Sequence, residues 1–129
     1  MKLPISLIVI VVSLVIFSSP SCTSVSKEEL IPPGCDTVGM TYQADVVPIL
    51  QAHCYTCHSA INPASGIPLE GYVNLHPYTI DTIGGRTCTL VGNISHLPGY
   101  DFMPKNEPML DTCLIHQIVD WVNRGAQNN

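Results

Sequence analysis

The residues best placed to do chemistry are Cys54, Cys57 and His58, in the stretch AHCYTCHSA at positions 52–60. Two thiols separated by two residues and followed at once by an imidazole suit three chemistries. In the first, each thiol adds across one vinyl group of a haem. The spacing puts the sulfurs about one helical turn apart, matching the two vinyl positions, and the histidine then lies under the iron and donates a ring nitrogen. In the second, the thiols are half of a zinc site. A structural zinc site needs another close pair of ligands, but Cys35, Cys88 and Cys113 are isolated and no His-x-x-x-His completes a set. In the third, the thiols form a redox-active dithiol. That motif belongs after a strand and at the start of a helix, whereas here an apolar helical segment precedes the pair and the loop SAINPASGIP follows it. The spacing favours haem. His53 and His116 sit in helical segments and read as exposed side chains, not ligands.

A haem held this way needs something on the other face of its iron. The stretch LPGYDFMPKNEPML, 97–110, offers Met103 followed by Pro104. A thioether is a soft, weak ligand that can cap a haem iron opposite histidine, and the proline stiffens the loop that carries it. His96 is a rival and would give a bis-histidine centre. Met109 is another, although it precedes the last helix and reads better as a core or hinge residue. An open sixth position would make a gas-binding or catalytic haem site. A single C-x-x-C-H motif argues against a two-haem peroxidase.

The elements that must hold these residues are helical. In TYQADVVPILQAHC, Val46, Ile49, Leu50 and His53 recur at helical spacing. Asp45 is placed to cap this helix, and Pro48 falls in its first turn, where a missing N–H costs little. The stretch MLDTCLIHQIVDWVNRGAQNN carries an apolar stripe of Leu110, Leu114, Ile118, Trp121 and Val122. Asp111 can cap that helix, Leu110 and Ile115 can staple its start, and Gly125 can end it. Arg124 in its last turn suits the helix dipole. Between the two, GIPLEGYVNLHPY and IGGRTCTLVGNISH each predict a short helix between glycine and proline breaks. Leu69, Tyr72, Val73 and Leu75 are candidates to line a haem edge. The fold class is all-α.

The chain has 129 residues and no internal repeat, enough for one small domain. Only 12% of residues are charged and the net charge is −5, which excludes a general nucleic-acid binder and suits a basic or dipolar protein partner. A core this small often recruits a cofactor or disulfides. The first segment, MKLPISLIVIVVSLVIFSSPSC, has a lysine, an apolar run from Leu3 to Phe17 and small residues before Cys22. That pattern reads as an export signal over residues 1–21. Ser19-Pro20-Ser21-Cys22 resembles the lipobox of bacterial lipoproteins, with Ser19 where Leu is usual. The resemblance implies that Cys22 is lipidated and anchors the mature chain to a membrane. Residues 22–40 are then the lipidated N-terminus and a tether, and residues 41–129 the folded domain. Export places the cysteines in a compartment where thiols can be oxidised.

Taken together, YQADVVPILQAHCYTCHS, LEGY, MPKNEPMLDTC and IVDWVNRGA resemble a class I type cytochrome c domain, of the small kind found in exported bacterial lipoproteins, over residues 41–126. The resemblance implies short helices wrapped around one covalently bound haem c, with the N- and C-terminal helices crossing. It implies thioethers at Cys54 and Cys57, His58 as the proximal iron ligand and Met103 as the distal one. A proline carbonyl after the motif should orient the proximal imidazole, and Pro63 and Pro68 are the candidates. The cysteine count departs from the family: with Cys22, Cys54 and Cys57 used, Cys35, Cys88 and Cys113 remain. Pairing Cys35 with Cys113 would pin the tether to the last helix, and Cys88 with Cys113 is the alternative. The implied activity is outer-sphere electron transfer between redox partner proteins at a membrane, not enzymatic turnover. An accessory haem subunit of a larger complex, or a gas-binding haem domain, are the alternatives.

Overall fold

The structure, a computed structural model, describes residues 31–81 and 87–129. The expected export signal at 1–21, the expected lipidation site at Cys22 and the first part of the expected tether lie outside the described residues. Those described are helical with no sheet, in agreement with the all-α expectation. None of their helices is long and apolar enough to cross a membrane.

The helix leading into the cysteine pair starts earlier than its apolar spacing predicts. Its N-cap is Thr41, not Asp45, and the Ala44 amide donates to the Thr41 hydroxyl. A wide π-type turn, Tyr42–Val46, then runs straight into α1, Val47–His53. Pro48 accounts for the widening. In a regular helix its ring would press on the carbonyl four residues back, and an extra residue in the preceding turn relieves that contact. Asp45 keeps a capping role as the reciprocal half of a capping box. Its carboxylate accepts from the Thr41 amide at 2.7 Å and the Thr41 hydroxyl at 2.8 Å. It acts from one position later than usual because the turn is one residue longer. Val46, Ile49 and Leu50 are buried, as the spacing predicts, and His53, which shares their recurrence, is exposed, as its reading as a non-ligand side chain expects.

Two very short helices follow, α2 at Tyr55–His58 and, after a loop, α3 at Tyr72–Leu75. Next come α4, Pro77–Ile80, α5, Thr89–Ile94, and α6, Thr112–Asn123. Asp111 caps α6 by accepting from the Cys113 amide at 2.8 Å. Leu110 and Ile115 are both buried around that start, as a hydrophobic staple would place them. Gly125 ends the helix at φ +95°, with the Ala126 amide reaching back to Trp121 O and the Gly125 amide to Val122 O.

The first and last helices meet at their aromatic residues. Tyr42 stacks on Trp121 with ring centroids 5.7 Å apart and meets Tyr72 edge-on at 5.3 Å. Asn129 accepts from the Tyr42 and Gln43 amides, which the π-type turn leaves without helical partners. The docked chain begins ahead of the expected boundary at 41. Cys35 is disulfide-bonded to Cys113 with Cα atoms 5.6 Å apart. Gln117 donates to Asp36 O, and the Met40 amide donates to Asp120. Met40 is itself in the core, so the later part of the expected tether lies along α6. His116 is half-buried and not exposed.

Candidate haem-type site and its comparisons

Cys54 closes α1 in a non-helical conformation (φ −122°, ψ −40°), and α2 begins at the next residue. Its carbonyl accepts from the Cys57 amide at 3.1 Å and the His58 amide at 2.9 Å. The two thiols and the imidazole therefore share one tight turn. Neither thiol is in a disulfide; Cys57 is exposed and Cys54 half-buried. Burial pushes the Cys54 thiol up to about 11. That is the reverse of an attacking dithiol, whose leading cysteine needs a depressed pKa.

The His58 ring is held by Ile67: its Nδ1 lies 2.7 Å from the Ile67 carbonyl oxygen. A carbonyl only accepts, so Nδ1 carries a proton, and in the neutral ring Nε2 has the lone pair that a metal would take. The carbonyl belongs to neither Pro63 nor Pro68, the two expected. Pro68 acts on it indirectly. A residue before proline is confined to extended backbone, and Ile67 has φ −108° and ψ 91°, which aims its carbonyl at the ring. The Leu69 amide returns a bond to His58 O at 2.9 Å.

Met103 sits on the loop after α5 and is half-buried. Its backbone is tied at both ends: the Met103 amide donates to Asn93 O at 3.1 Å, and His96 Nε2 lies 3.0 Å from Met103 O. The peptide bond to Pro104 is cis. Those ties leave the thioether free of the backbone's hydrogen bonding. His96, the rival ligand, has its Nε2 committed to that carbonyl and its ring stacked on Phe102 at 4.6 Å. Met109, expected in the core or at a hinge, is 46% exposed, because it stands ahead of the buried staple at Leu110 and not within it. No hydrogen bond joins the Met103 loop to the Cys54–His58 turn among the described residues.

Two features that support the Met103 loop were not singled out in the sequence. Gly92, inside α5, has the Tyr100 ring against its Cα, where any Cβ would collide with it. The Tyr100 hydroxyl donates to Thr87 O, which pins the start of the loop over α5. A glycine inside a helical run was the available signal. Leu69 and Leu75, proposed to line a haem edge, are buried in the core, whereas Val73 is 84% exposed and Tyr72 donates to Ala126 O.

Cys88 is a free thiol buried in the core. Among the described residues no three of His, Cys, Asp and Glu gather closely enough to hold an ion, so these residues offer no four-ligand zinc site. Surface cavities of about 280 Å³ beside Trp121 and about 300 Å³ beside Tyr42 and Glu70 include neither His58 nor Met103. No protein-family model matches the chain, and no curated protein or solved structure matches it.

Proposed function

We propose that the chain is a monohaem c-type cytochrome of the class I type, an electron carrier held at a membrane by a lipid on Cys22. The observation that carries this reading is the His58 ring. Its Nδ1 is fixed on the Ile67 carbonyl at 2.7 Å, which leaves Nε2 as a donor one residue after a free thiol. A merely structural histidine has no need of two unpaired cysteines in its own turn.

Cys54, Cys57, His58 and Met103 are the donor types that a covalently held haem needs. Cys54 and Cys57 would hold it through thioethers, His58 through Nε2 and Met103 through its sulfur. Large apolar side chains beside both halves stay exposed: Ile61 near His58 is 79% accessible and Phe102 beside Met103 51%. Such surface suits contact with a porphyrin. When bound, the group supplies one-electron chemistry between ferrous and ferric iron. The protein's part is positional. The bond to Ile67 O orients the His58 ring. Met103 is carried by a loop fixed to α5, and its sulfur would serve as the iron's second protein ligand, which would leave no site for a substrate. His/Met ligation would hold the potential above that of a bis-histidine centre. The lipid and the tether let the domain range between membrane-bound donors and acceptors.

The test is a reduced-minus-oxidised spectrum of the exported protein, followed by acid-acetone extraction. Sharp low-spin bands that stay with the protein after extraction support the reading. A ferrous form that is high-spin and binds carbon monoxide readily favours the gas-binding alternative. A colourless protein with a Cys54–Cys57 disulfide favours a thiol oxidoreductase.

A further inference from the structure

Within the loop from His58 to Glu70 the bonds are local: the Ser59 hydroxyl donates to Ile61 O, and in a 3-10 turn at Ala64–Gly66 the Gly66 and Ile67 amides donate to Pro63 O and Ala64 O. Asn62, Ser65 and Gly66 adopt φ of 58°, 54° and 70°, and no side chain from Ser59 to Pro68 is buried. Yet its Ile67 carbonyl must stay in place for the 2.7 Å bond to His58 Nδ1. Two bonds close the mouth of the loop. The Leu69 amide donates to His58 O at 2.9 Å, and the Ala60 amide donates to the Glu70 carboxylate at 2.8 Å. The Glu70 backbone is in turn anchored to α3, because Asn74 Nδ2 donates to Glu70 O at 2.7 Å. The Glu70 bond is the only one of these clamps made by an ionised side chain, and charge assistance makes such bonds stronger than neutral ones.

We propose that Glu70 is a positioning residue for His58: its carboxylate clamps Ala60 across the loop and so keeps the Ile67 carbonyl on the imidazole. The inference rests on the haem reading for its redox consequence. A carbonyl on Nδ1–H increases the electron donation of Nε2, which favours ferric iron. A loosened loop weakens that donation and raises the reduction potential.

The test compares the haem-loaded full chain with Glu70→Ala and Glu70→Gln. The measurements are the reduction potential and the solvent exchange rate of His58 Nδ1–H by NMR. Glu70 is exposed, so neither variant disturbs the core. Glu70→Ala is expected to raise the potential and to speed exchange about tenfold, the effect of losing about one hydrogen bond. Glu70→Gln keeps an oxygen acceptor without the charge and is expected to fall between the parent and Glu70→Ala in both. An unchanged exchange rate in Glu70→Ala would overturn the proposal. So would a Glu70→Gln potential that moves as far as that of Glu70→Ala, because the effect would then be the lost charge. A chain that carries no haem refutes the haem reading alone, and the exchange rate still decides the clamp.

Discussion

At the scale of single residues, Met103 gives an unusually clean substitution. Its amide and carbonyl, not its side chain, tie the loop to Asn93 and His96. Met103→Ala therefore removes the sulfur and leaves the loop in place. The expected result is a high-spin ferrous spectrum that binds carbon monoxide; a spectrum unchanged from the parent would remove Met103 as the ligand. Cys54 offers a second prediction, for chain made without haem attachment. Burial raises its pKa from 9.0 to about 11. The folded state thus favours the neutral thiol, and the associated stability is intact below about 9 and lost as pH rises towards about 11. Alkylation of Cys54 in folded, haem-free chain should be far slower than that of exposed Cys57 at pH 8. It should speed up about tenfold per pH unit across that window, because only the thiolate reacts. A Cys54 that reacts like a free thiol at pH 8 would reopen the dithiol reading.

At the scale of elements, two contacts decide how the site is carried. Gly92→Ala puts a methyl group into the Tyr100 ring. The expected cost is about 1–3 kcal/mol, with loss of the sulfur-to-iron charge-transfer band as the loop shifts. Retention of both stability and band would show that the loop does not depend on this packing. The Cys35–Cys113 disulfide closes a span of 78 residues. On the chain-entropy model its removal in the Cys35→Ser/Cys113→Ser pair costs about 4.5 kcal/mol, measurable by denaturant unfolding. Much of this level was legible beforehand. The α6 cap at Asp111, its staple and its glycine stop all follow from local chemistry that a short window of sequence contains. The helix start at Thr41 was not legible, since a widened turn ahead of Pro48 breaks the usual spacing between a cap and its carboxylate. Ile67 was missed for a different reason. A backbone carbonyl has no side-chain signature, and only the proline after it marks the position.

At the scale of the whole molecule, the cysteine pair, its histidine and the helices on either side could be read from order and spacing along the chain. The packing of the Met103 loop on α5 could not, because it depends on Tyr100 finding Gly92 across a turn. The molecule is acidic, with a net charge of −5. Reduction of a basic redox protein by this chain should therefore slow as salt rises, over the range where the screening length falls to about 10 Å. A rate that ignores salt would mean that this charge does not guide the encounter. The central claim remains that Cys54, Cys57 and His58 hold a covalent haem. Its most direct test is the mass of the denatured, acid-acetone-treated protein after export in a host that matures c-type cytochromes. The predicted result is the chain plus one haem, with the added mass on the peptide that contains Cys54 and Cys57. A peptide at its bare mass, with its two cysteines free or bonded to each other, would contradict the account.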